Sequence, residues 1–217
     1  MARTADKLIS DIRKEVSSGI LKPGDQLEVN ALAERFGVSR TPIREAIRTL
    51  VESGVLETRP RKGSFVRVLS AKQLLDLFQV AAELEGMACR LAALSLTKEN
   101  VEAIERGLAK CIQAAEVQNN AEYAMANLDF HTAIHNASGN DWLIEQLRQL
   151  QINLNSYRTM PYEIRGRLNK STDEHKIICD AILSGDGEHA CNLMRDHMML
   201  QGKRLPSIIA TLEQQNT

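Results

Sequence analysis

Apolar residues recur at helical spacing along most of the chain. Ala5, Leu8, Ile9, Ile12 and Val16 fall on one face of a segment spanning about 5–17. The run SSGILKPGDQL then breaks the pattern with Gly19, Pro23 and Gly24. A short helix is predicted at about 29–36, with Leu32, Ala33 and Phe36 as its apolar side and Gly37 as its stop. Ser39 or Thr41 is placed to cap a third helix, whose first turn tolerates Pro42 and which runs to about Ser53. Ile43, Ile47, Leu50 and Val51 line one of its faces, while Arg40, Arg44 and Arg48 recur four residues apart on another. After Gly54 the segments VLETR and SFVRV read as two short strands around a basic PRKG turn. From residue 70 onward only helical patterns appear, at about 71–95, 98–117, 120–137, 140–158, 164–184 and 187–214. Thr97 is a candidate cap for the second of these; Ser171 or Thr172 would start the fifth late or interrupt it. Short connectors such as ASGND and SGDGE suit antiparallel neighbours.

These elements predict a mainly α chain in two parts. Residues 1–69 form a winged helix-turn-helix, and residues 70–217 an all-helical antiparallel bundle. Two short helices around a glycine turn offer a second helix whose N-terminal end commonly enters a DNA major groove. Arginine suits that position because its planar fork bonds guanine or grips phosphate. The hairpin forms a wing that would bring Arg59, Arg61 and Lys62 close to the DNA backbone. An arginine stripe alone is more simply a solvated helix face; the order helix, helix-turn-helix and basic hairpin favours DNA.

Charge refines this picture. The net charge of −1 hides an asymmetry: residues 1–68 carry 13 Lys and Arg against 9 Asp and Glu, and the remainder 14 against 19. No stretch approaches the ~20 apolar residues of a membrane span, and the N-terminus has no apolar signal core, so a cytoplasmic location is expected. Cys89, Cys111, Cys179 and Cys191 lack CxxC spacing and read as buried thiols.

The five histidines carry the chemistry of the second part. On helical wheels His131 sits with Asn127 among Phe130, Ile134 and Ala137, His175 among Ile178, Cys179 and Ile182, and His197 beside Ala190, Leu193, Met194 and Leu200. His135 and His189 lie nearer the edges of their apolar arcs. A single inward histidine is most simply a hydrogen-bonded core residue. Three on separate helices leave two readings open: mutual or ligand hydrogen bonds, or a shared metal ion.

The stretch LAERFGVSRTPIREAIRTLVESGVLETRPRKGSFV resembles the DNA-binding domain of GntR-family bacterial regulators, a likeness running from about Leu8 to Val68. It implies DNA contacts from Ser39, Arg40, Thr41 and Arg44 on the recognition helix, with Arg48 continuing the stripe and Lys62 and Gly63 at the wing tip. Asn30 stands where the family often has arginine, implying a different contact there. The second part resembles the FCD effector domain of the FadR-type branch, through NLDFH, the SGN at Ser138–Asn140, Glu174–His175, and the histidine of MRDHM. That resemblance implies a divalent metal ion, zinc or nickel, held by Asn127, His131, His175 and His197. Asp129 is not carried over, because it faces the polar side. Many relatives have an arginine four residues before the glutamate of the LEG motif; here that residue is Ala81. An effector carboxylate would then rest on the metal, or on Arg158 or Arg167, both of which read as surface residues.

The resulting expectation is a homodimeric repressor with no catalytic residues. It would bind palindromic double-stranded operator DNA and respond to a small organic acid. A metal-free ligand-responsive regulator is the nearest alternative. A helical metallohydrolase needs a general base that no HExxH or paired carboxylate supplies, and a winged helix used only for protein contacts would show no salt-sensitive DNA binding.

Overall fold

The computed structural model describes residues 2–17, 19–158, 162 and 164–199. The chain divides into two compact units, Met1–Leu69 with Gln151–Ser156, and Ser70–Leu150 with Tyr157–Thr217.

The first unit runs α1 (Ala2–Ser17), β1 (Gln26–Leu27), α2 (Val29–Phe36), α3 (Arg40–Glu52), β2 (Leu56–Arg59) and β3 (Gly63–Val66). Leu8, Ile12 and Val16 of α1, Leu32 of α2 and Ile43, Ala46 and Leu50 of α3 meet in one core with Leu56 and Val66 of the sheet. Gly37 ends α2 in the left-handed conformation, φ 63°, and its N–H closes the last turn on Ala33 and Glu34. An Arg35–Glu15 ion pair with both carboxylate oxygens 2.7–2.9 Å away ties α2 to α1.

The sheet has three strands in the order β1-β3-β2, where the apolar pattern predicts only two. β1 is two residues of the Gly- and Pro-punctuated segment that reads as a loop. It pairs antiparallel with β3 through Gln26–Phe65 and Leu27–Ser64. A strand so short leaves no alternation to detect; what recruits it is the free edge of β3. The wing turn between β2 and β3 uses two left-handed residues, Arg61 at φ 62° and Gly63 at φ 101°. Gln26 Nε2 donates to Lys62 O at 2.7 Å, so β1 braces that turn.

The second unit comprises α4 (Ala71–Leu94), α5 (Lys98–Glu116), α6 (Asn120–Ala137), α7 (Asp141–Arg158, of which Gln151–Ser156 group with the first unit), α8 (Arg167–Leu183) and α9 (187–199). Ser70 caps α4 in a reciprocal box with Gln73, and Thr97 and Asn119 cap α5 and α6 through the N–H groups of Asn100 and Glu122. α8 starts at Arg167, after Gly166, rather than at 164. Ser171 and Thr172 neither start nor interrupt it: both are buried inside it. The end of the last helix, 200–214, lies outside the described residues.

Few aromatics serve this core, so small residues bring the helices close. A Cβ built on Gly107 of α5 would lie 2.7 Å from Phe130 Cα on α6. Because the obstruction is backbone, α5 and α6 must separate to admit it. Gly107→Ala is therefore expected to cost about 1–3 kcal/mol of stability in urea unfolding. A loss under about 0.5 kcal/mol contradicts this packing.

Candidate functional site

In the first unit, Ser39, Arg40, Thr41, Arg44 and Arg48 are all exposed. Ser39 occupies the N-cap position of α3 but makes no capping bond. Its hydroxyl and the first N–H groups of the helix thus sit beside the exposed arginines, an arrangement suited to anions. Arg48 makes only a long 3.6 Å surface pair with Glu52. Lys62 and Gly63 are exposed on the wing turn, while Arg59 is drawn back, bonded to Glu57 at 2.8 Å with its guanidinium 4.3 Å from the Phe65 ring centre. Asn30 is exposed on the first turn of α2.

In the second unit, His131 of α6, His175 of α8 and His197 of α9 converge. All three are at most 1% exposed, and one ring nitrogen from each lies within 4.8 Å of the others. His175 Nε2 and His197 Nε2 are 3.3 Å apart. Two ligands each about 2.0–2.1 Å from one tetrahedral ion sit roughly 3.4 Å apart, so this spacing matches a shared cation as well as a hydrogen bond. Asn127, one turn before His131, is 4% exposed and its Oδ1 is buried without a hydrogen-bond partner. A buried carbonyl oxygen left so is costly, and a cation beside His131 would remove the cost. Three imidazoles and a carbonyl are also a donor set that divalent zinc or nickel accepts. The residues therefore fit a metal ion.

Two carboxylates stand behind these rings. Glu85 of α4, 1% exposed, receives His131 Nδ1–H and His135 Nε2–H, each 2.9 Å from its Oε2. Burial opposes its ionisation, but the neighbouring imidazoles outweigh that and hold its carboxyl well below the usual range. Glu174 of α8 receives His197 Nδ1–H at 2.7 Å. Burial again opposes ionisation, yet His197 and Arg167 bring this carboxyl down to about 2. An ionised carboxylate only accepts, so His131 and His197 carry a proton on Nδ1 and, when neutral, keep the lone pair on Nε2, whereas His135 turns its Nε2–H to Glu85.

Two sequence expectations are corrected, and one residue is added. Arg167 is not a surface residue: it is 4% exposed, and its Nη1 and Nη2 donate to Glu174 at 3.2–3.3 Å. The inner face of α8 carries Arg167, Ser171, Thr172 and His175 beside Leu168, Ile178, Cys179 and Ile182, and those polar residues disguise its first half. His135 is fully interior, at 2%. Glu85 carries no role in the sequence reading, although an acidic residue among Ala81, Ala82, Gly86, Ala88 and Cys89 marks a buried partner. Asp129 turns outward to Lys110, 2.7 Å away, as its wheel position predicts. The side chain of Arg158 lies outside the described residues. The four cysteines are buried and free, and burial pushes Cys111 up to about 12 and Cys179 to about 11, so neither is a thiolate at neutral pH. Among the described residues no helix is long and apolar enough to cross a membrane.

Comparison with known proteins joins the two units. The model described as bacterial regulatory proteins, gntR family, matches residues 4–66, and that of the FCD domain matches residues 76–199. A Paenarthrobacter nicotinovorans protein named "Probable D-xylose utilization operon transcriptional repressor" is 30% identical over 85% of this chain and 80% of its own. The Escherichia coli regulator McbR is 30% identical over 82% of each. Its solved structure superimposes with a TM-score of 0.81, at 28% identity over 99% of both chains. A structure from Rhodococcus sp. RHA1 has the same fold, with a TM-score of 0.79 at 19% identity over 94% of this chain and 98% of that one. The chain belongs to the gntR family of bacterial regulatory proteins, in the group that pairs the DNA-binding unit with an FCD domain, and is a transcriptional regulator rather than an enzyme.

Proposed function

We propose that this regulator is a homodimeric, metabolite-responsive repressor. Residues 1–69 read a palindromic operator, and residues 70–217 dimerise and bind the effector. In the operator complex Ser39, Arg40, Thr41, Arg44 and Arg48 face the DNA from α3, and Lys62 and Gly63 approach it from the wing. A two-fold dimer matches two half-sites of one sequence. Repression is the sign carried by the name of the D-xylose operon relative.

The observation that carries the sensing role is the meeting of three buried imidazoles from three helices, with the orphaned oxygen of Asn127 one helical turn before His131 on α6. Asn127, His131, His175 and His197 would hold a divalent ion, zinc or nickel. When bound, such an ion offers a small organic acid a positive centre for its carboxylate. Arg167 already spends its charge on Glu174, and Ala81 has none to give, which favours that route. The effector acts only if it binds two arrangements of the dimer with different affinity, so operator DNA must alter effector affinity by the same factor.

A metal-free version has one specific support, the 3.3 Å approach of His175 to His197, which a plain hydrogen bond satisfies. Chelation separates the two. Effector affinity, measured calorimetrically, is expected to fall at least about tenfold on metal removal and to return on adding zinc; unchanged affinity selects the metal-free version. For the DNA role, Arg44→Ala is expected to cost about 1–3 kcal/mol, at least a fivefold rise in operator Kd at fixed salt. A change below about threefold contradicts the assignment.

A further inference from the structure

Glu85 is bonded to both histidines of one face of α6. Its Oε2 lies 2.9 Å from His131 Nδ1 and 2.9 Å from His135 Nε2. His131 and His135 are one helical turn apart, so a single oxygen of α4 is fixed from two points. We propose that Glu85 is a positioning residue of the histidine centre: it holds His131 with Nε2 facing the cation and supplies the charge that neutral Asn127 withholds. This rests on the metal reading given above.

Three features carry the proposal. The carboxylate accepts only, so it selects the Nδ1–H form of His131 and leaves the Nε2 lone pair for a cation. Glu174 does the same for His197 at 2.7 Å, but its charge is shared with the Arg167 guanidinium, 3.2 Å away. Glu85 meets His131 and His135 through one oxygen, Oε2. Lastly, a dication held by three neutral imidazoles and an amide oxygen keeps its full charge in a buried place, an arrangement that needs a nearby anion. Carboxylates bonded to the far nitrogen of a ligand histidine raise its basicity and fix its orientation, and losing one typically weakens metal binding 10–100-fold. His135 belongs to this support. Its Nε2 is spent on Glu85, which places it outside the ligand set despite its burial.

The test is zinc affinity of the full-length protein, by competition with a chelating dye, for wild type, E85Q, N127D and the double variant. E85Q is expected to raise Kd by about 10–100-fold. N127D, which puts a negative charge directly beside His131, is expected to recover at least about tenfold of that loss. N127D is expected to gain more affinity in the E85Q background than in wild type, where Glu85 already supplies charge; equal gains in both backgrounds mean that Glu85 matters only for packing on α4 and overturn the proposal. Equal affinity of wild type and E85Q overturns the proposal while leaving the metal reading intact, as does a loss that N127D fails to recover. A second zinc ion per chain that E85Q abolishes makes Glu85 a ligand and also overturns it. A wild type that binds no zinc overturns the metal reading and this proposal together. Should E85Q fail to fold, nitrogen NMR of the metal-free wild type decides the matter: a proton on His131 Nδ1 with a bare Nε2 supports the proposal, and a proton on Nε2 overturns it.

Discussion

An imidazole taken out of water must find partners for its ring nitrogens, and the second unit buries four of them, at His131, His135, His175 and His197. That requirement organises the interior. α4 supplies Glu85, α6 supplies His131, His135 and Asn127, α8 supplies Glu174 and His175, and α9 supplies His197. Glu85 is buried and Glu174 partly so, and each stays ionised because it receives charge-assisted hydrogen bonds. A polar network of this kind is worth keeping only if every member is satisfied. Asn127 Oδ1 is buried without a hydrogen-bond partner, which is why a cation is proposed for this place. The apolar residues around the network set how closely the helices approach. Alanines on α4 and Gly107 on α5 permit short distances, and Phe130 packs 4.6 Å from the His175 ring.

The first unit obeys a different constraint. It must hold a short helix and a hairpin rigidly while leaving their polar faces bare. α1 does most of this, since Leu8, Ile12 and Val16 pack into the core shared by α2 and α3. The arginines of α3 are then free of structural duty: Arg40 and Arg44 are exposed, and Arg48 has only a loose surface pair. Arg59 differs, because its stacking on Phe65 and its bond to Glu57 hold the hairpin together. The wing's basic character is left to Arg61 and Lys62. This separation of scaffold from contact surface fits a unit that reads DNA by side chains on rigid elements.

Much of this was legible in the sequence wherever apolar residues repeat. The helix-turn-helix followed from Leu32, Gly37, Ile43 and Leu50, and the inward histidines from their apolar neighbours. What escaped was polar material on inner faces. Arg167 and Ser171 share the buried stripe of α8 with His175, but a wheel scored by hydropathy turns them outward. Glu85 is hidden in the same way among alanines, because its partners lie on α6, 46 and 50 residues later. β1 escaped because two residues carry no period and depend on the β3 edge for their hydrogen bonds. Local pattern finds the elements; pairing between distant polar residues becomes visible only when the chain is folded.

The central claim is the proposal that His131, His175, His197 and Asn127 surround one divalent ion. X-ray absorption at the metal edge of the zinc-loaded, full-length protein tests it most directly. The account predicts about one ion per chain with imidazole nitrogen scattering at roughly 2.0–2.1 Å, further light-atom ligands, and no sulfur. A sulfur shell near 2.3 Å, or zinc bound without imidazole scattering, would contradict it.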